Sequence, residues 1–179
     1  MTDNPVLETI RKRRSIIRYD NTPVPEEKLT AILEAGRWAP SWLNRQPWTF
    51  IVIGDQAQKD KLSQAAPTAF AKALREAPLC IAVAVNPEED PYHFVEDGTT
   101  ATQNMALAAE SLGLHTSWIG VFDLKNPKDS AENKIKQILD LPKNHRVVSL
   151  LPVGYTSTEL REPKRKSLDQ VLRHDRFGT

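Results

Sequence analysis

The sequence is poor in cysteine and has no excess of either charge, and each shortage excludes a class of protein. Cys80 is its one cysteine, so neither an intramolecular disulfide nor a thiolate metal cluster can form. The chain has 24 Lys and Arg against 23 Asp and Glu, a formal net charge of +1, which gives no overall attraction to nucleic acid or anionic membranes. Any binding site for an anion must therefore be local.

Long apolar runs are also missing. No run approaches the roughly 20 residues that span a bilayer. The start of the sequence does not place an apolar stretch behind a basic one, as a signal peptide would. We therefore expect a cytoplasmic protein without a membrane partner. Its 179 residues suit one domain, residues 1–179.

Several catalytic motifs are absent as well. The four histidines (His93, His115, His145 and His174) show no spacing that is typical of metal ligands, and no H-E-x-x-H is present, so no metal is predicted. The chain also lacks G-x-S-x-G, the P-loop lysine motif and G-x-G-x-x-G. These absences remove the motif-based arguments for a hydrolase, a P-loop enzyme or a dinucleotide-binding fingerprint.

Apolar patterning predicts helices interleaved with strands. The run from Leu79 to Val85 is apolar almost throughout, which predicts a central strand buried on both faces. A long helix from about Tyr92 to Leu112 has a small-residue middle that can pack closely on a sheet or on a twin of itself. The other predicted strands are 48–53, 115–119 and 146–153. The other predicted helices are 5–14, one that begins at Leu29 and is stopped by Pro40, one capped by Asp55, one before Pro78, one at 127–139 and a short one at 168–172. The uneven connections favour a helix-flanked sheet without regular βαβ repetition.

Two basic clusters lie far apart in the sequence, at residues 11–15 and 163–167. Arginine offers forked donors that match phosphate oxygens, and Ser15 adds a neutral donor, so the first cluster is a candidate phosphate site. A solvated helix end explains the same cations, because the helix dipole favours them there. The second cluster is either a surface charge run or the other half of the same anion site.

Two further segments carry candidate ligand-binding groups. Residues 40–48 place polar side chains, among them Asn44 and Gln46, between two prolines that restrict the backbone, and an amide suits the edge of a heterocycle. The alternative is a structural loop whose aromatic residues pack in the core. Gly120 follows a predicted strand, and a glycine there either lets a backbone N–H approach a planar ligand or simply ends the strand.

These segments, in this order, resemble the FMN-dependent nitroreductase family over nearly the whole chain. The resemblance rests on Arg13-Arg14-Ser15 with Tyr19, on residues 39–48, on residues 111–120, and on residues 151–155 followed by 163–166. It implies an α+β fold of three α-β-α layers, with a mainly antiparallel central sheet flanked by helices. It also implies an intertwined homodimer with FMN at the subunit interface.

The resemblance assigns roles residue by residue. The phosphate and ribityl end of FMN would be held by Arg13, Arg14, Ser15, Lys164 and Lys166. The partner subunit would supply Pro40, Ser41 and Asn44 to the flavin, with Gln46 as a further member of the same loop. The backbone N–H groups of Gly120 and Val121 would lie near flavin N5 and O4. Trp42 and Trp118 are candidate walls of the substrate site, and no side chain acts as a catalyst because flavin N5 does the chemistry.

One position departs from the family pattern. The family usually has Arg or Lys two residues after the serine, near the N1 and O2 edge of the flavin, and this chain has Ile17 there. A cation at that edge favours the anionic reduced flavin, so its absence affects the redox potential. Arg45 is one candidate to replace it.

The implied activity is a ping-pong hydride transfer from NADH or NADPH through flavin N5 to an electron-poor small molecule, such as a nitroaromatic or a quinone. Two alternatives remain. Relatives that carry out dehalogenation or oxygenase-type flavin chemistry usually have extra lid residues, and the segment from Pro67 to Pro78 is short for a lid. A module that binds anions or nucleic acid through the two basic clusters, without redox activity, is the alternative from another class.

Overall fold

One antiparallel sheet forms the centre of the computed structural model, which describes residues 4–177. Its strands are β1 (Trp48–Ile53), β2 (Leu79–Val85), β3 (His115–Thr116), β4 (Ile119–Gly120) and β5 (Arg146–Gly154). They lie in the order β1-β2-β5-β3, and β4 also pairs with β5. The predicted antiparallel central sheet is therefore confirmed.

Helices cover both faces of this sheet. They are α1 (Pro5–Lys12), α2 (Glu26–Arg37), α3 (Gln56–Ala65), α4 (Ala71–Glu76), α5 (Phe94–Ser111), α6 (Ala131–Ile138) and α7 (Leu168–Val171), with short 3-10 turns at Trp42–Asn44 and Thr68–Phe70. Polar residues begin several of them. Asn4 accepts from two backbone N–H groups of α1, and Asp55 accepts from Gln58 N at 2.8 Å, as its predicted N-cap role requires.

Two cores lie on opposite sides of β2, whose residues are all buried. Ile81 and Val83 point into one core with residues of α2 and α5, and Cys80 and Ala82 point into the other with residues of α3, α4 and α6. Successive side chains of a strand point to opposite faces, so this apolar run requires both faces to be covered. The three-layer architecture and the buried Cys80 are both confirmed.

Helix α5 packs very closely on the sheet. A Cβ built on Gly98 would lie 2.7 Å from Val148 Cγ2 and 2.9 Å from Val85 Cγ1, so only glycine fits at that crossing. One turn along, the buried hydroxyls of Thr102 and Ser149 share a 2.8 Å hydrogen bond. The small-residue middle of α5 thus lets the helix lie directly on β2 and β5.

Three predicted boundaries were wrong. The strand expected at 115–119 is divided into β3 and β4, because continuing the register places Pro152, which has no N–H to donate, opposite Ser117. The helix expected at 127–139 begins at Ala131, where Ser130 caps it by accepting from Asn133 N. The helix expected at 5–14 ends at Lys12, since the following backbone is extended and runs to the sheet.

Candidate functional site

The segment that follows α1 runs along one edge of the sheet. Ser15 forms a parallel bridge with Thr116 of β3, and Ile16 N donates to the Thr116 carbonyl at 2.9 Å. Ile16 and Tyr19 are buried, whereas Ser15, Ile17 and Arg18 are exposed. The candidate hydroxyl of Ser15 therefore faces outward from a backbone that the sheet holds in place.

A cleft of about 350 Å³ lies between this segment and the C-terminal tail. Residues 14–18 form one wall and residues 158–161 form the other. Arg14 Nε donates to the Arg161 carbonyl at 3.1 Å, which joins two parts of the chain that are 147 residues apart. Lys164 follows Arg161 by three residues, so it lies at most about 11 Å away along the backbone. The second basic cluster therefore begins close to the cleft, although Arg13, Lys164 and Lys166 do not line it.

The members of these clusters differ in their surroundings. Arg14 Nη1 donates to the carbonyls of Arg11, Lys12 and Arg13, the last of these at 2.9 Å, and so satisfies acceptors at the end of α1. Much of the Arg14 guanidinium therefore braces the protein itself. Arg13 is half-buried, and Lys164 and Lys166 are exposed.

Gly120 lies in β4, which pairs with β5 as β3 does. A Cβ built there would meet no atom within 4 Å, so the glycine leaves open space rather than room for a neighbour in its own chain. Val121 is buried, and its N–H donates to the Val148 carbonyl over a long 3.5 Å. Trp118 is half-buried in the break between β3 and β4. Gly120 lies four positions after Thr116, a span of at most about 14 Å.

The loop between Pro40 and Pro47 has an unusual backbone. Leu43, Asn44 and Gln46 all have positive φ, of 48°, 58° and 54°. Residues other than glycine adopt this region at a cost, so surrounding bonds must hold it. Ser41 Oγ accepts from Gln46 N at 2.9 Å, and Gln46 Nε2 donates to the Asn44 carbonyl at 3.2 Å. The loop is internally braced, with Asn44 and Gln46 exposed.

This loop rests on α5 and not on the cleft. Thr100 Oγ1 donates to the Pro40 carbonyl at 3.0 Å, and the half-buried Trp42 ring packs edge-on against Tyr92, with ring centroids 5.5 Å apart. The residues that line the cleft come from 14–18 and 158–161. One protomer therefore joins Arg14 of the first basic cluster to Arg161, three residues before Lys164, and the Pro40–Pro47 loop does not line the cleft between them.

A buried pair of carboxyl groups, which the sequence analysis missed, anchors the loop. Asp97 Oδ1 accepts from Trp42 N at 3.1 Å, and Asp90 Oδ1 accepts from the N–H groups of Tyr92 and His93, each at 3.0 Å. The Oδ2 atoms of both aspartates are buried and have no hydrogen-bond donor among the described residues. Acids are common in polar loops and first helical turns, so nothing in the sequence marks this pair as buried.

The pair is electrostatically unbalanced. Burial is the largest cause of a pKa for Asp97 that is raised to about 6; the Trp42 N–H lowers this pKa, and the neighbouring Asp90 carboxyl raises it. Burial also raises the pKa of Asp90, but the His93 and Tyr92 N–H groups outweigh it and hold that pKa below its ordinary range. Asp97 is therefore the member of the pair that takes up a proton first as the pH falls.

Other kinds of site find no support in the described part of the chain. Within residues 4–177, no three His, Cys, Asp or Glu side chains converge as a metal site would need. Across the same residues, none of the helices combines the length and apolar character that a membrane crossing requires.

Comparisons with known proteins agree on one family. The family model described as "Nitroreductase family" matches residues 10–155. A protein from Methanothermobacter thermautotrophicus, provisionally named NADH dehydrogenase/NAD(P)H nitroreductase, is 34% identical over 172 residues, which cover 92% of this chain and 87% of the relative. The structure of an FMN-dependent nitroreductase from Clostridium difficile superposes with a TM-score of 0.87 at 30% identity, covering 96% of this chain and 99% of that one.

A more distant relative has a different named activity. Iodotyrosine deiodinase 1 from Rattus norvegicus is 26% identical over 206 residues, which cover 96% of this chain and 70% of the deiodinase.

Proposed function

The chain belongs to the nitroreductase family, and from that membership we propose that it is an FMN-dependent oxidoreductase. It would take a hydride from NADH or NADPH and pass it to an electron-poor small molecule, such as a nitroaromatic or a quinone. The observation that carries the proposal is the cleft between residues 14–18 and 158–161, which brings two basic segments together beside the sheet edge that leads to Gly120.

The residues present fit FMN. The cleft of about 350 Å³ falls within the range of roughly 300–1,000 Å³ that ligand sites occupy. Its surroundings offer an exposed hydroxyl on Ser15 and exposed ammonium groups on Lys164 and Lys166, the donor types that bind a phosphate dianion. Gly120 leaves the open approach that a flat ring system needs.

The chain's own contribution is to bind and orient. Arg14 braces the end of α1 against the tail at Arg161, which sets the width of the cleft. Arg13, Ser15, Lys164 and Lys166 would then hold the phosphate end. Bound FMN supplies the redox chemistry by accepting and donating hydride at N5. The backbone N–H of Gly120 would face that atom, whereas the Val121 N–H is directed to the Val148 carbonyl, and no side chain has to act as an acid, base or nucleophile.

The arrangement requires a second subunit. The Pro40–Pro47 loop lies away from the cleft of its own protomer, so its partner's loop would complete the site. An apolar hollow of about 320 Å³ lies between α1, α2 and α5 and includes Val6, Trp38 and Leu107. Val6 is 63% exposed and Trp38 75% exposed, and contiguous apolar exposure of this kind is typical of an interface. We propose that this face is where two copies meet.

Oligomeric state tests that part of the proposal. Leu107→Glu would place a charge in the hollow and is expected to convert the dimer to a monomer that binds FMN weakly. Leu124→Glu, at a residue that is 88% exposed, is the matched control and should leave the dimer intact. Sedimentation velocity distinguishes the two, and a monomeric wild type would contradict the interface.

The dehalogenase alternative has less support in this chain. Residues 68–76 form a 3-10 turn and α4, and Ala73 and Leu74 of α4 are fully buried. That segment is therefore part of the core and does not cover the cleft as a lid would. The deiodinase likeness is a reason to include a halogenated phenol among the acceptors tested.

Purification and steady-state kinetics test the proposed activity. The protein should be yellow, should release FMN on denaturation, and should give parallel double-reciprocal lines with NADH and a nitroaromatic, as a ping-pong mechanism requires. A colourless protein that takes up no FMN would contradict the proposal, and salt-dependent oligonucleotide binding by that protein would instead favour the anion-binding module.

A further inference from the structure

A buried ion pair holds the chain segment that follows β4. Glu132, in the first turn of α6, is fully buried and accepts from Arg146 Nε at 2.6 Å and from Arg146 Nη2 at 2.9 Å. The same carboxylate accepts the backbone N–H of Asp123 at 2.9 Å and that of Val147 at 3.1 Å. Four hydrogen bonds occupy its lone pairs, so the buried charge is well compensated.

Arg146 completes the hold on the same segment. Its Nη2 also donates to the Asp123 carbonyl at 2.8 Å, so both backbone polar groups of Asp123 are bonded to the ion pair. The Arg146 guanidinium lies 4.4 Å from the centroid of the Phe122 ring, which also packs against Phe94 of α5. Residues 122 and 123 are therefore fixed by the ion pair, by a ring contact and by α5.

Residues 122 and 123 directly follow the backbone proposed to face the flavin. Beyond β4 that backbone has little support from the sheet, because the Val121 N–H reaches the Val148 carbonyl over 3.5 Å. The direction of the peptide groups at Gly120 and Val121 consequently depends on how firmly residues 122 and 123 are held.

We propose that Glu132 and Arg146 are positioning residues that orient the Gly120–Val121 backbone toward flavin N5. This inference rests on the proposed function, since it concerns the same cofactor. A purely structural ion pair would affect stability alone. A positioning pair also affects hydride transfer, because a displacement of about 1 Å at a reacting centre can lower a rate by roughly 100-fold.

Arg146→Lys is the sharpest variant, because lysine keeps the charge but cannot donate in a fork to Glu132 and also reach Asp123. Arg75→Lys is its control. Arg75 is an exposed residue of α4 that donates from Nη1 to Ser63 Oγ at 3.4 Å, and it lines neither the cleft nor the hollow. The FMN-loaded full-length protein is compared by amide hydrogen exchange, by the rate of flavin reduction by NADH, and by the flavin midpoint potential.

For Arg146→Lys we expect amide hydrogen exchange at residues 121–123 to rise about tenfold or more, while exchange in β2 is unchanged. We also expect flavin reduction to slow by roughly 10- to 100-fold and the midpoint potential to shift. Arg75→Lys should match the wild type in all three. Unchanged exchange at 121–123 would overturn the proposal. So would faster exchange with an unchanged reduction rate and an unchanged potential.

Glu132→Gln covers the case in which Arg146→Lys does not fold. It keeps the length of the side chain and one carbonyl acceptor but removes the charge and the second acceptor of the ion pair, so the same changes are expected to be smaller but measurable. Wild-type exchange at residues 121–123, with a wild-type rate and potential, in this variant would overturn the proposal. A wild-type protein that takes up no FMN overturns the proposed function itself, and that result appears before any variant is made.

Discussion

Two regions of one protomer differ in how fully the chain's own residues fill them. One is the contact between α5 and the sheet, and the other is the cleft beside Ser15. Under α5, Gly98 touches two valines and the Thr102 and Ser149 hydroxyls bond each other, so this region is complete within one chain. At the cleft, Ser15, Ile17 and the lysines near position 164 are exposed, and Gly120 faces open space. The difference indicates that stability and ligand binding depend on separate sets of residues, which substitutions can test.

The largest expected effect is on stability, from Gly98→Ala. The added Cβ would lie 2.7 Å from Val148 Cγ2, and overpacking of this kind destabilises by about 1–3 kcal/mol. Urea unfolding should show that loss, while the folded variant still binds FMN. Gly54→Ala is the control, because a Cβ there meets nothing within 4 Å. Equal free energies of unfolding for the two variants would contradict the conclusion that close packing under α5 determines stability.

The next effect is on binding, from replacing Lys164 and Lys166 together by alanine. Both lysines are exposed, so the free energy of unfolding should hardly change, whereas loss of charged hydrogen bonds to phosphate should weaken FMN binding about tenfold. Fluorescence titration of the apoprotein measures the Kd. Replacing Lys61 and Lys134, which are exposed on α3 and α6, removes the same charge and should leave the Kd unaltered. A similar loss of FMN affinity in both double variants would mean that the lysines act only through long-range electrostatic attraction and do not contact the phosphate.

Asp97, in the first turn of α5 beneath the Pro40–Pro47 loop, makes stability depend on pH. Its pKa is raised from 3.8 to about 6, so its contribution to stability is fully present below pH 4 and is lost as the pH rises through 6. Asp97→Asn keeps an acceptor for Trp42 N and adds a donor for Asp90 Oδ2. At pH 8 the variant should be more stable than the wild type by about 1–3 kcal/mol.

Thermal unfolding between pH 4 and pH 8 measures this difference. Asp129→Asn, at an exposed aspartate, should follow the wild-type pH profile. If Asp97→Asn also follows it, the buried pair does not hold a proton.

The smallest expected effect is on redox potential, from Ile17→Arg. Ile17 is 42% exposed and lines the cleft, so the new cation would project toward solvent as well as toward the flavin. If it favours the anionic reduced flavin by roughly 1 kcal/mol, the midpoint potential rises by about 20 mV. Spectroelectrochemical titration measures the shift, with Ile17→Gln as the uncharged control. An unchanged potential would show that Ile17 is not near the N1 and O2 edge.

Individual helices and strands differ in how well the sequence predicts them. The apolar run Leu79–Val85 predicted its strand and its burial on both faces, because that pattern has few other solutions. The helix end predicted near Leu112 was also confirmed, because α5 ends at Ser111 and Gly113 follows with φ of 74°. The strand at 115–119 was wrong, because its division at residues 117 and 118 depends on Pro152, which only pairing with β5 brings opposite it.

The candidate site was also predictable only where residue type alone marks it. The basic clusters, the Pro40–Pro47 loop and Gly120 are marked by residue type alone, and their roles toward FMN stay predictions. The buried states of Asp97 and Glu132 were not foreseen, since acids in a first helical turn are usually solvated. The bracing role of Arg14 was also missed, because its carbonyl partner on Arg161 is 147 residues away.

The sequence by itself determined the charge balance, the family resemblance and most of the helices and strands, since composition and local patterns of residue type are enough for these. Only the tertiary structure decided which basic residues share a cleft, which acids lose water, and which side of the sheet stays open. Those outcomes depend on how distant segments pack, and packing places residues such as Glu132 and Arg146 in contact without any local signal in the sequence.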